Sequence, residues 1–297
     1  MEDLRISDVV EPGAARQLAT GFVLTEGPTW HPDGYLIFAD LRTDKLYRLE
    51  ADGTLNVVRL TQGGNGTTFD LNGYLVQCEP KGRRLTRTLA DGTVQTLVSH
   101  FQGGRLSRPN DVICRSDGTL FFTDPAMRVP YADREIPSAE NANNVWEGSG
   151  IYRLTPDGEL ALVSRGEYPN GLALSPDEKT LYVANTRAVM YLQSIDLAPD
   201  GSMLRRRIFA DMNSDITPGH PDGVKVDSDG KVFCTGPGGI WVFQPDGRHI
   251  GTMALPETAY NFAFGGPDLK TLFVTAQTSI YALQMKTPGI AHPCFRA

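Results

Sequence analysis

Four short segments, TEGPTW, RPNDVIC, YPNGLAL and HPDGVKV, each lead into an apolar stretch of strand character. They place Glu26, Asn110, Asn170 and Asp222 at matched positions. Two carboxylates and two amide oxygens make an oxygen-rich set of the kind that holds a hard divalent cation such as calcium or magnesium. Such a cation polarises a carbonyl or phosphoryl oxygen and lowers the pKa of bound water. The competing explanation is ordinary turn chemistry, in which Asn and Asp cap turns before Gly or Asp and bind nothing. Glu26 has no evident turn role, and four matched positions are harder to explain as caps than one. Asp222 can serve both as ligand and as proton acceptor from water. Arg108, two residues before Asn110, can orient a polyhydroxylated or anionic substrate, with a surface salt bridge as its plainer use. His220 reads as turn-stabilising, with a proton relay as the sharper alternative. Asp111 and Asp124 read as supports for a turn and a loop.

Glu26 and Asp222 are far apart in the chain, so the fold has to bring them together. The chain repeats one arrangement six times: an apolar strand end, a turn built on Asp-Gly or an equivalent, and another apolar strand. Measured at residues 34, 73, 118, 178, 230 and 268, the turns are spaced by 39, 45, 60, 52 and 38 residues. Repeats of this length belong to stacked or radial units. A second set of turns, at Asp52-Gly53, Asp91-Gly92, Asp157-Gly158, Asp200-Gly201 and Asp246-Gly247, interleaves with the first. Together they define a unit of four strands with tight turns. Runs such as LIFA and LFFT suit inner strands buried between neighbouring sheets.

Four-stranded units arranged radially make a β-propeller, and six turn marks predict six blades. The expected fold is all-β, with residues 1–297 forming one six-bladed domain. The last unit is one strand short, and AARQLAT near the amino terminus is expected to supply it and close the ring. A β-solenoid is the alternative, weakened by the lack of terminal caps. The 60-residue spacing comes from an insertion at residues 127–148, whose Tyr131 and Trp146 make it a candidate substrate-access loop.

Composition narrows the functional classes. A net charge of -7 argues against broad nucleic-acid binding. No apolar run is long enough to span a bilayer, and the start, MEDLRISDVV, has no signal-peptide pattern, so a cytoplasmic protein without membrane partners is expected. Cys78, Cys114, Cys234 and Cys294 are too scattered for a compact metal site and read as reduced thiols. GGNG and GPGG lack the setting of a phosphate loop, and no GxSxG elbow occurs. The basic run Lys81-Gly82-Arg83-Arg84 is isolated and reads as a hairpin or substrate-facing loop.

Taken together, TEGPTW, FDLNGYLVQCEPKGRRLTR, RPNDVICRSDGTLFFTDP, YPNGLALSPDEKTLYVANT, PDGVKVDSDG and FGGPDLKTLFVT resemble one family. It includes senescence marker protein (SMP-30), the gluconolactonases and the luciferin-regenerating proteins. The chain looks closest to the bacterial gluconolactonases. The resemblance covers nearly the whole chain and implies a six-bladed propeller with one catalytic divalent cation near its central channel. It also implies that Glu26, Asn170 and Asp222 are the ligands, with Asp222 as general base. By the same resemblance, Asn110 and Arg108 contact substrate, and the Val129–Trp146 region shapes its access. The cation would be calcium, with zinc, manganese or magnesium as alternatives, and the substrate a sugar lactone hydrolysed to its open aldonic acid. Two other readings are a phosphotriesterase-like hydrolase on the same cation and a non-enzymatic calcium- or protein-binding propeller.

Overall fold

Strand pairing resolves the chain into six four-stranded antiparallel sheets in sequence order around a ring, a six-bladed β-propeller. The computed structural model describes residues 4–126, 149–187, 189–213 and 216–295. Tyr131, Trp146 and the rest of the 127–148 insertion lie outside the described residues. In the first blade the strands run Thr25–His31, Tyr35–Asp40, Lys45–Glu50 and Leu55–Leu60 from the axis outwards. The second strand is buried along almost its whole length, whereas the fourth is largely exposed. The sequence follows this gradient: YLIFAD is apolar on both faces, because both faces meet a neighbouring sheet.

The core is distributed rather than central. Six hydrophobic clusters lie one at each blade-to-blade junction. One joins Phe233 and Val242 of the fifth blade to Phe262 and Val274 of the sixth, and another joins Ile37 and Leu46 of the first to Phe69 of the second. No blade buries its faces alone, so the ring is stable only when all its members are in place.

The sixth blade draws on both ends of the chain. Arg16–Thr20 pairs antiparallel with Ser279–Gln284 as its outermost strand, with Arg16 opposite Ala282 and Thr20 opposite Ser279. The turn marks hold the left-handed backbone that a tight reversal requires. Gly34, Gly73, Gly118 and Gly230 all have positive φ, and in the two turns where that position is not glycine the same strain falls on Glu178 (φ 58°) and Leu269 (φ 56°).

Among the described residues no helix is long and apolar enough to cross a membrane. Cys78, Cys114 and Cys234 are buried free thiols and Cys294 is a half-buried one. The basic run divides its contacts: Lys81 pairs with Asp44, buried Arg83 donates to the Leu106 carbonyl, and Arg84 pairs with Glu79.

Candidate metal centre at the lead-in end of the channel

Each innermost strand begins near the axis, and in three of the six blades the backbone there departs from regular pairing. In the first blade the register slips between Glu26 and Thr29, in the fourth between Pro169 and Leu172, and in the sixth between Ala259 and Asn261. Bulges of this kind re-aim side chains. Here they affect Glu26, Asn170 and Tyr260. Hydrogen bonds between successive inner strands establish which residues are equivalent. Gly66 N donates to Asn110 O (2.8 Å), Gly171 N to Asp222 O (3.1 Å) and Gly223 N to Tyr260 O (2.8 Å). The ring of equivalent positions is therefore Glu26, Asn65, Asn110, Asn170, Asp222 and Tyr260. The structure brings the four residues singled out from sequence to one end of the channel and adds Asn65 and Tyr260 to them.

The packing there is close enough to dictate glycine. A β carbon on Gly27 would overlap the Asn65 carbonyl, and one on Gly171 would overlap the Asp222 carbonyl. The inner strands can approach the axis only because these positions carry no side chain.

Asn170 is oriented by a short chain of donors. Its Nδ2 donates to Thr186 Oγ1 (2.7 Å), and that hydroxyl donates its single proton to the Pro221 carbonyl (2.7 Å). The hydroxyl must therefore accept from the amide NH2, which settles which way the amide points. Asn170 Oδ1 is then left buried with no hydrogen-bond partner. Glu26 is buried, and both of its hydrogen bonds fall on Oε2, from Gly27 N (2.7 Å) and Asn261 Nδ2 (3.2 Å). Asp222, also buried, has Oδ2 3.5 Å from His220 Nε2, and its own N–H is turned to Thr235 Oγ1 (2.9 Å). The His220 ring lies edge-on to Tyr260 with centroids 5.8 Å apart.

The electrostatics follow from putting acids together away from water. Burial, then the neighbouring charges of Asp222 and Asp111, push the Glu26 carboxyl well above the usual carboxylate range, against the pull of the Gly27 N–H. Burial likewise raises Asp222, partly offset by its bond to His220, and that same bond raises the imidazole. Asp111 is raised by burial and opposed by Lys225, and its Oδ2 is a second buried atom without a hydrogen-bond partner. Crowded carboxyls and an unpaired amide oxygen are poor neighbours for one another and good ones for a divalent cation. Among the described residues no three His, Cys, Asp or Glu side chains form a metal cluster, so a site here needs the Asn170 amide oxygen beside Glu26 and Asp222.

Arg108 and Asn110 sit on a segment held from behind. Asp124 accepts the backbone N–H groups of Ser107 (2.8 Å) and Arg108 (2.6 Å), so it does hold the loop. Asp111 Oδ1 accepts from Val112 N (2.9 Å), a turn-stabilising bond, while its other oxygen takes no such part.

A cavity of about 360 Å³ opens at the opposite end of the channel. Turn residues such as Pro32 and Pro267, and the tail from Ile290 to Phe295, line it; Glu26, Asn110, Asn170 and Asp222 do not. Its wall is largely apolar, with Lys225 among its polar members.

Sequence reasoning missed Asn65 and Tyr260, although a signal for the first was present. Glu26, Asn65, Asn110, Asn170 and Asp222 each stand eight residues before a left-handed turn residue, namely Gly34, Gly73, Gly118, Glu178 and Gly230. Tyr260 breaks the count because the sixth blade's inner strand has one more residue before its turn, whose left-handed residue is Leu269.

The family model described as SMP-30/Gluconolactonase/LRE-like region matches residues 24–278. Gluconolactonase from Zymomonas mobilis is 34% identical over 201 residues, which are 65% of this chain but only 54% of that protein. Pentonolactonase XacC from Haloferax volcanii is 31% identical over 276 residues, covering 88% of this chain and 84% of that one. Among solved structures, a gluconolactonase from Xanthomonas campestris superposes with a TM-score of 0.83 at 32% identity, over 96% of this chain and 95% of that one.

Proposed function

Because the chain belongs to the SMP-30/gluconolactonase/LRE-like family, we propose that it is a cation-dependent lactonase that opens a sugar lactone to the aldonic acid. One structural observation carries the cation requirement: Asn170 Oδ1, fixed in orientation and buried without a partner, in the same ring of positions as the buried carboxyls of Glu26 and Asp222. Glu26, Asn170 and Asp222 would hold the cation, and Asn65 and Asn110 occupy equivalent positions at the same end of the channel. When bound, a divalent cation there supplies electrostatic stabilisation for negative charge developing on the lactone carbonyl oxygen.

The protein's own residues account for the remaining steps. Arg108 and Asn110 orient the ring hydroxyls, on a segment that Asp124 keeps in place through two backbone N–H groups. Asp222 accepts a proton from the attacking water as its oxygen bonds to the carbonyl carbon. The bond from that carbon to the ring oxygen then breaks, and the same proton passes from Asp222 to the departing oxygen, leaving a hydroxy acid. His220, 3.5 Å from Asp222 Oδ2, steadies the carboxylate between these transfers. The names of the relatives, gluconolactonase and pentonolactonase, support aldonolactones of six- and five-carbon sugars as the substrate class.

The test is chelation followed by re-addition of calcium, magnesium, manganese or zinc, assayed on five- and six-membered aldonolactones with a phosphotriester as control. Activity should vanish on chelation, return with at least one cation and favour lactones. Failure on every lactone despite tight cation binding would overturn the lactonase reading.

A further inference from the structure

One step down the channel from the candidate ligands lies a second ring of positions: Gly27, Gly66, Asp111, Gly171, Gly223 and Asn261. Four of the six are glycine, and two of those glycines make room for the exceptions. A β carbon on Gly66 would overlap Asp111 Oδ1, and one on Gly223 would overlap Asn261 Oδ1. Asn261 fills its space with every polar atom engaged. Its Nδ2 donates to Glu26 Oε2 (3.2 Å), and its Oδ1 accepts from Phe262 N (2.9 Å) and Lys225 Nζ (3.3 Å). Lys225 is pinned in turn: Nζ donates to the Val224 carbonyl (3.0 Å) and lies 5.8 Å from the centroid of the Phe262 ring. Its charge opposes the upward push of burial on both Asp111 and Asp222.

We propose that Asn261 and Lys225 form a support layer that sets how tightly the lead-in end holds a divalent cation. Asn261 aims the Glu26 carboxylate, and Lys225 stands beneath the acids as a built-in positive charge that competes with the cation. This rests on the reading that Glu26, Asn170 and Asp222 form the cation site. The two residues act in opposite senses. A partner that orients a ligand strengthens binding, and losing it typically costs about 10–100-fold in affinity. A fixed positive charge close to the site weakens binding by direct repulsion, strongly so in a poorly solvated channel. Asn261 keeps its orientation without Lys225, because the Phe262 N–H still engages Oδ1.

The experiment is calorimetric titration of calcium into the whole purified protein and three variants, with melting temperature measured in chelator and in saturating calcium. Asn261→Ala should weaken calcium binding about 10–100-fold. Lys225→Met should tighten it by about tenfold or more and widen the gap between the two melting temperatures. Lys225→Arg, which keeps the charge, should stay near the parent affinity. General loosening of the channel would move Asn261→Ala and Lys225→Met in the same direction, and that result overturns the proposal, as does unchanged affinity in both. Should Asn261→Ala fail to fold, the contrast between Lys225→Met and Lys225→Arg decides. A parent protein that binds none of calcium, magnesium, manganese or zinc instead overturns the cation-site reading itself; a parent that binds with unresponsive variants overturns only the support layer.

Discussion

The two ends of the channel use the same residue types for opposite purposes. Strands alternate direction within a blade, so the innermost turns and the outer Asp-Gly turns fall on one face, and the lead-in segments fall on the other. At the turn end, Asp side chains spend their lone pairs on local N–H groups. Asp70 Oδ1 accepts from Asn72 N (2.9 Å) and Tyr74 N (3.0 Å), and Asp177 Oδ1 accepts from Lys179 N (3.1 Å). Burial pushes Asp117 upward, but the Arg115 guanidinium and the Thr119 N–H outweigh it and hold that carboxyl at about 2. Asp177 is lowered by the Ser175 hydroxyl and then the Lys179 N–H. At the lead-in end, burial and crowding raise Glu26, Asp111 and Asp222, and oxygens of Asn170 and Asp111 have no hydrogen-bond partner. An acid that caps a turn is satisfied by the fold, whereas an acid with unspent lone pairs in a buried ring is available to a ligand.

The sharpest way to break this comparison is to remove one acid from each end. Asp222→Ala should lower lactone turnover by about 100-fold or more while the protein keeps its fold. Its metal-free melting temperature should not fall, since the change relieves repulsion with Glu26. Retained activity in a folded, cation-loaded variant would remove Asp222 from its role.

Asp70→Ala, at the other end, should do the reverse. It loses two N–H bonds and the Arg87 Nε pair at 2.7 Å, for a loss of about 1–3 kcal/mol in stability with turnover per folded molecule unchanged. Chemical denaturation and steady-state kinetics together read both quantities. A fall in turnover without a fall in stability would erase the division between the ends.

The smallest effect is in pH dependence, where the raised acids of the lead-in end and Asp117 of the turn end should have opposite signs. Raised carboxyls bind protons in the folded state that the unfolded chain has already released. In chelator, Glu26, Asp111 and Asp222 therefore lower stability as pH climbs from about 4 through their raised range. Asp124, pushed up to about 7 by burial, adds to the same slope. Asp117, held at about 2, contributes stability present above about 4 and lost as pH falls towards 2. Cation binding should flatten the first slope and release protons, giving an apparent calcium affinity that rises with pH. A calorimetric signal independent of buffer ionisation would rule out that coupling.

Much of this organisation was legible in the sequence. The turn marks predicted six blades, and the lead-in segments TEGPTW, RPNDVIC, YPNGLAL and HPDGVKV predicted four of the six positions around the ring. Asn65 is harder to see because GGNG resembles a failed phosphate loop, although its eight-residue distance from Gly73 matches the others. Tyr260 was hidden by one extra residue in the inner strand before its turn. Lys225 and Asn261 carried no local signal, since their contacts join the fifth blade to the sixth and, through Glu26, to the first.

What the sequence determined by itself was periodicity and the residue types at each period, because tight turns and buried strands impose local chemical demands. Which of those acids and amides are spent on the backbone and which are left open was decided only by the tertiary structure. That outcome depends on the burial and hydrogen-bond partners that ring closure brings together from distant parts of the chain.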